Sequence, residues 1–265
     1  MDWKKDFIWG TATSSYQIEG AAFEDGKGLS VWDVFVREKG RIFEGHTGDV
    51  ACDHYHRMKE DVALLAELGV GAYRFSVSWP RIMPHGTGSV NETGLKFYSD
   101  LIDELLKHHI TPYVTLFHWD YPNELEMQGG WLNPSSPDWF AQYTAVVANA
   151  FGDRVKHYFT FNEPQIFTWL GYDRCTHAPG IKYPVGRILA MCRNIALAHG
   201  KSVQKLRELV PDCRVGYAPT CGNAYWPVEE TELLAAKAKE LQDSIGAEDW
   251  IHSSAFWNEL FIKGR

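Results

Sequence analysis

Thr160-Phe161-Asn162-Glu163-Pro164 follows directly on the β-rich run Val155-Lys156-His157-Tyr158-Phe159, and the reading of this stretch decides the fold. The segment from Val155 leading to Glu163 reads as a strand. A glutamate delivered at its C-terminal end, with an amide before it and a proline after it, stands where parallel barrels carry out their chemistry. Catalysis by carboxylates at such a position needs two acids. The sequence offers one convincing acid.

Working outward, the same strand signal recurs. Val70-Gly71-Ala72-Tyr73-Arg74-Phe75-Ser76-Val77-Ser78 reads as a strand ended by Trp79-Pro80, and Thr111-Pro112-Tyr113-Val114-Thr115-Leu116-Phe117-His118 as another. Cys213-Arg214-Val215-Gly216-Tyr217-Ala218-Pro219 and the shorter Phe7-Ile8-Trp9-Gly10-Thr11-Ala12-Thr13 complete the set. Helices fill the gaps. Tyr55, Met58, Val62, Leu65 and Leu68 recur at helical spacing before Gly69, and Leu95, Tyr98, Leu101, Ile102, Leu105 and Leu106 form a second apolar face. A third helix is expected with Ser136 as cap, Pro137 in its first turn and Gly152 beyond its end. Others are expected over Val185 to Leu209, Glu229 to Gln242 and Trp250 to Phe261.

Strands joined by single helices imply right-handed crossovers and a parallel sheet. Strand ends near Ser78, His118 and Glu163 recur at intervals of roughly 40 residues, as in an α/β fold of the (β/α)8 barrel type. Although 265 residues would suffice for a whole barrel, the strands do not. Five are used up by Thr220, so residues 1–265 are expected to be a single, incomplete barrel domain of about the first five β/α units.

Composition narrows the class of function. The formal net charge of −8 argues against nucleic acid, whose phosphates demand a basic surface. The 11 Trp, 12 Tyr and 14 Phe can fill a core, but aromatic faces also serve as platforms for sugar rings, so the excess leans towards carbohydrate. The odd count of 5 Cys, none in a C-x-x-C pair, reads as buried reduced thiols rather than disulfides. No long apolar run occurs at Met1-Asp2-Trp3-Lys4-Lys5-Asp6 or elsewhere, so neither a signal peptide nor a membrane span is expected, and the expected location is the cytoplasm. His54, His56, His108 and His109 lack zinc spacing and are expected to be solvated helix positions. No phosphate-cradling glycine loop occurs, and neither cofactor nor metal is expected.

Five ordered blocks now carry a resemblance. Phe7 to Gly20 (FIWGTATSSYQIEG), Tyr73 to Ile82 (YRFSVSWPRI), Leu116 to Pro122 (LFHWDYP), Gly129-Gly130-Trp131 and Thr160 to Pro164 (TFNEP) resemble the N-terminal half of a glycoside hydrolase of family 1, the β-glucosidase family. The resemblance implies hydrolysis of β-linked glucosides by a retaining double displacement. In it Glu163 is the general acid/base, protonating the departing oxygen and then deprotonating water. A strand-end glutamate taken alone is more commonly a surface ion-pair partner. Asn162 is implied to hold the sugar 2-hydroxyl, with backbone capping as its alternative. Gln17 and His118 resemble the ligands of the sugar's other hydroxyls, since an amide and an imidazole each donate and accept. Trp119 either shapes the site wall or packs. Arg74 lies mid-strand, where a charge needs a partner, and its family counterpart faces the catalytic nucleophile.

That nucleophile has no counterpart here: the family carries it on the seventh strand in a Thr-Glu-Asn-Gly-like motif, which this sequence lacks. Glu19, Asp120 and Glu124 fall on earlier loops and are expected to be structural or solvated. Two smaller departures are Cys175, where glycine is commoner, and Thr220, where many relatives carry asparagine. Two outcomes stay open: a piece of an enzyme active only with a complementing C-terminal half, or a weakly active sugar-binding or assembly half-barrel. Exposed edge strands would favour self-association.

Overall fold

The computed structural model describes residues 7–220, 226–242 and 254–263. Five strands, β1 (Gly10–Ala12), β2 (Ala72–Ser76), β3 (Thr111–Phe117), β4 (His157–Asn162) and β5 (Arg214–Ala218), form one parallel sheet in chain order. Each lies within the segment assigned to it from sequence. Register runs through Ala12↔Arg74, Ser76↔Thr115, Phe117↔Phe161 and Asn162↔Ala218, which brings all five C-terminal ends to one edge. An open parallel sheet with β1 and β5 at its edges fits an incomplete barrel.

Between β1 and β2 lie α1 (Ser15–Ile18), α2 (Val31–Phe35) and α3 (His54–Glu67); between β2 and β3 lie α4 (Trp79–Ile82) and α5 (Glu92–Lys107). Then come α6 (Asn123–Met127) and α7 (Ser136–Phe151) before β4, and α8 (Pro164–Tyr172) and α9 (Val185–Leu209) before β5. After β5 come α10 (Glu232–Gln242) and α11 (Ser254–Asn258), the last running into a π turn over Glu259–Lys263. Residues 243–253, where the last helix was expected to begin, and Cys221 lie outside the described residues.

The core lies between the sheet and its helices. Val114, Leu116 and Phe117 of β3 are all buried, the continuous apolar run of a strand covered on both faces. Much of the aromatic excess is packing rather than a sugar platform. Trp79 stacks on Tyr143 at 4.9 Å and meets Tyr121 at 5.3 Å, while Phe117 meets Phe161 at 5.6 Å and Phe167 at 5.1 Å. Helix α5 buries Phe97, Tyr98, Leu101, Ile102 and Leu105, a stripe of helical period facing inward.

Three local expectations are corrected. The buried stripe of α3 is His54, Met58 and Val62, whereas Leu68 is exposed. His54 is therefore not solvated: it shares the i, i+4, i+8 face with Met58 and Val62, and its Nδ1 lies 2.6 Å from Asp61 Oδ2. Ser136 does not cap α7. Ser135 takes that position because its N–H already turns onto Asn133 Oδ1 at 2.9 Å, and the buried Ser136 hydroxyl donates to the Trp131 carbonyl instead.

Candidate active site

The C-terminal edge of β2, β3 and β4 gathers the charged and polar groups. Arg74 Nε donates to Thr115 Oγ1 at 2.8 Å, and Arg74 Nη2 donates to Asn162 Oδ1 at 2.6 Å. Its guanidinium lies over the Phe159 ring, 4.7 Å from the centroid. The Asn162 amide, its oxygen occupied by Arg74, turns its N–H towards Glu163 Oε2 at 3.3 Å. Asn162 thus spends its side chain on other side chains, not on capping the backbone. Burial lowers the Arg74 pKa, and the charge of Glu163 draws it back up.

Two residues here occupy the left-handed backbone region. Glu163 has φ 45° and ψ 62°, and Trp119 has φ 81°. Such conformations cost about 1–3 kcal/mol each for non-glycine residues and cluster where function holds them in place. Each is tied down. Glu163 N–H donates to the Ala218 carbonyl at 2.7 Å, and Trp119 Nε1 donates to the Asn162 carbonyl at 2.8 Å. Proline at the start of α8 then turns the chain into a helix directly after Glu163.

Beside this trio lies a cavity of about 400 Å³ lined by Gln17, His118, Trp119, Tyr16, Trp32 and His177, among others. Gln17 is exposed on α1, and His118 and Trp119 follow β3. The structure therefore gathers Gln17, His118 and Trp119 at the cavity and, adjoining it, Asn162 and Glu163 at the end of β4 with Arg74 reaching them from the middle of β2, the Trp119–Asn162 bond lying between the two sets. Burial and the nearby Arg74 cation push the His118 pKa down to about 3, so the imidazole is neutral at neutral pH. Its buried Nδ1 has no partner among the described residues. A neutral ring can both donate and accept, as a hydroxyl ligand must. Trp119 and Trp32 both meet His177 edge-on, at 5.9 and 5.6 Å, so Trp119 forms part of an aromatic wall.

The supporting groups were the part that sequence reasoning missed. Helix α1 carries Gln17 and is held at both ends. Ser15 Oγ donates to Asp120 Oδ2 at 2.7 Å, and Ser15 N–H donates to Ser76 Oγ at 2.7 Å. Glu19, at the other end, accepts from Arg81 Nε at 3.0 Å and from Tyr98 Oη at 2.6 Å. Glu19 and Asp120 are buried and structural, whereas Glu124 is exposed and pairs with His85. The signal available in sequence was the presence of Ser15, Glu19, Arg81 and Asp120 inside the quoted blocks; only folding shows that they meet. Tyr16 lies in the same quoted block as Ser15, whereas Trp32 and His177 had no such signal. Cys175 sits at φ 58°, a backbone conformation that glycine adopts without strain. Among the described residues no group of three or more His, Cys, Asp or Glu is placed to hold a metal ion.

Comparison with known proteins follows the same lines. The model of glycosyl hydrolase family 1 matches residues 1–259. Beta-glucosidase A of Acetivibrio thermocellus is 48% identical over 232 residues, 88% of this chain and 52% of that protein. An aryl-phospho-β-D-glucosidase of Bacillus subtilis is 48% identical over 222 residues, 83% of this chain and 46% of that protein. Among solved structures, the β-glucosidase from Thermotoga maritima in complex with deoxynojirimycin matches with a TM-score of 0.82 at 45% identity, over 91% of this chain and 54% of that one. The chain spans about half the length of the curated relatives it matches.

Proposed function

The chain belongs to glycosyl hydrolase family 1, and from that premise we propose that it carries the acid/base half of a retaining β-glucosidase site. Glu163 protonates the departing glycosidic oxygen and later deprotonates the water that releases the sugar. Asn162, oriented by Arg74, offers its N–H to the sugar 2-hydroxyl. Gln17 and neutral His118 take further hydroxyls, and Trp119 forms the wall. The nucleophile, which retaining chemistry needs about 5–5.5 Å from the acid/base, comes from outside residues 1–265. Arg74 faces it, completing the charge balance. The reading calls for no cofactor; among the described residues the four cysteines are free, and of these Cys192 alone is buried, contrary to the expectation of buried thiols, with Cys52 exposed and Cys175 and Cys213 half-buried.

The observation that carries this reading is the contiguity of Arg74, Asn162 and Glu163, beside a cavity that Gln17, His118 and Trp119 line. Substrates are β-linked glucosides; the resemblance to both plain and phospho-β-glucosidases leaves the 6-position of the sugar to experiment. A second reading, a sugar-binding half-barrel that assembles through its edges, is favoured by the placement of β1 and β5 at the ends of the sheet with β5 only partly covered. Under either reading the edges pair with a complementing half or a second copy, and a strictly monomeric species by light scattering at tens of micromolar excludes the second copy. Hydrolysis of an activated aryl β-glucoside, with and without a segment supplying the remaining strands, tests the first reading. Glu163→Ala should lower any turnover by roughly 10²–10⁴-fold, and turnover that survives it refutes the assignment of Glu163.

A further inference from the structure

A second, much smaller cavity, of about 10 Å³, shares Tyr16 and Gly48 with the larger one and is walled by ionic groups. Lys27 and Arg81 contribute cations; Glu19, Asp33 and Asp120 contribute carboxyls; Ser78 contributes a hydroxyl. These groups are almost wholly buried, Asp120 and Arg81 being 1% exposed each. Most of their hydrogen-bonding capacity is spent inside the protein. Asp120 Oδ2 takes the Ser15 hydroxyl, Arg81 uses Nε on Glu19 and Nη2 on the Gly20 carbonyl, and Asp33 Oδ2 takes Ser30 and Lys27.

Four polar atoms make no hydrogen bond of ordinary length and angle among the described residues, and all belong to residues lining this one cavity: Arg81 Nη1, Asp120 Oδ1, Asp33 Oδ1 and Ser78 Oγ, the last lying close enough to Asp120 to favour its charged form. Their chemistry selects the occupant. A ligand here must accept from a guanidinium and donate to carboxylate oxygens at once. A metal ion cannot accept a hydrogen bond and is repelled by Lys27 and Arg81. An anion is repelled by three carboxyls, and one that carries an O–H donor is too large for about 10 Å³. A carbon group would leave each polar atom unpaired, at about 1–3 kcal/mol apiece. Water alone does both, and a space of about 10–15 Å³ by this measure holds one molecule.

We propose that this cavity is a binding site for a single structural water, accepting from Arg81 Nη1 and donating to Asp120 Oδ1 and one neighbouring oxygen. Its place in the network gives it a role. Ser15 begins α1 and is held by Asp120; Glu19 follows α1 and is held by Arg81. The water joins Asp120 to Arg81 and closes a ring around the short helix that presents Gln17. That ring exists whether or not the chain hydrolyses glucosides; its bearing on sugar binding rests on the function proposed above.

The test uses the whole chain and no activity assay, so its failure is distinct from failure of the glucosidase reading. A crystal structure should show an ordered water within about 3.2 Å of both Arg81 Nη1 and Asp120 Oδ1. Ser78→Thr, which adds a methyl group to the cavity wall, should displace it and lower Tm by about 5 °C, on the scale of two unpaired buried groups. Should Ser78→Thr fail to fold, a water cross-relaxation peak at the Arg81 Nη1–H signal of the unaltered protein decides. Its presence supports the site. Absence of that peak, density for a metal ion, a direct Arg81–Asp120 contact, or a Ser78→Thr protein of unchanged Tm would overturn the proposal.

Discussion

Replacing Glu19 with glutamine should be among the most damaging isosteric changes in the fold. The Glu19 and Arg81 side chains are 6% and 1% exposed, and the Arg81 guanidinium draws its main compensation from that one carboxylate at 3.0 Å. The amide introduced by Glu19→Gln would keep the volume but lose the charge. With both Arg81 Nε and Tyr98 Oη currently donating to Glu19, an amide can satisfy one of them and must present its own N–H to the other. Arg81 would keep the Gly20 carbonyl and the face of Tyr55 at 4.3 Å. A cation–π contact of about 0.5–2 kcal/mol does not offset an uncompensated buried charge, whose cost is about 3–5 kcal/mol. Against a total stability of roughly 5–15 kcal/mol, that is a large fraction. Urea unfolding should show the midpoint falling accordingly. The double change Glu19→Met with Arg81→Met should be less destabilising than Glu19→Gln alone, since it removes both charges together. A loss below about 1 kcal/mol for Glu19→Gln, or a double variant worse than the single, would refute the reasoning.

Three further outcomes can be checked independently. Gly94→Ala, at an α5 position where alanine ordinarily gains about 1 kcal/mol, should instead destabilise, because its Cβ would lie 2.2 Å from the Arg81 carbonyl oxygen; a stabilised variant in a thermal melt would contradict the packing. His118, held near pKa 3, should stay neutral down to about pH 4 in an NMR titration. The unfolded chain binds that proton from about pH 6.5, so His118 contributes stability above pH 6.5 that is lost as pH falls towards 3. Glu126 has the opposite sign. Burial pushes its carboxyl up to about 7 from an ordinary 4.5, so its contribution is present below pH 4.5 and lost as pH rises through 7. Glu126→Gln should therefore flatten the stability profile between pH 5 and 8 by on the order of 1–2 kcal/mol, and an unchanged profile would count against that burial.

The strands were legible in sequence because each is a β-branched or aromatic run closed by glycine, proline or a polar cluster, and because a parallel sheet in chain order leaves little choice of partner. The longer helices were as plain, and α9 runs over Val185–Leu209 as its spacing suggests, but α1, α2, α4, α6 and α8, of four to nine residues each, are too short to show a period and were not expected. Faces were less plain. The face of α3 was read correctly at Met58 and Val62, with Tyr55 and Leu65 packed at its margin, but it lacked His54, which looks polar in a list of residues and becomes interior only once Asp61 meets it, and it included the exposed Leu68. For the site, the strand-end residues were visible as motifs, but their order of contact was not. That Arg74 grips Asn162 depends on β2 and β4 flanking β3, and that Asp120 holds Ser15 depends on the start of α1 meeting the loop after β3, 105 positions away. Periodicity cannot report contacts of that range.

The central claim is that these residues hold one carboxylate of a catalytic pair. Turnover of 4-nitrophenyl β-D-glucoside by residues 1–265 alone, compared in one experiment with the same chain plus a polypeptide supplying the remaining strands, tests it most directly. The chain alone should show no hydrolysis above its Glu163→Ala control, and Glu163-dependent hydrolysis should appear once the partner is added. Glu163-dependent turnover by the chain alone would contradict the claim that the nucleophile lies elsewhere, and turnover by the complemented protein that ignores Glu163→Ala would contradict the acid/base assignment itself.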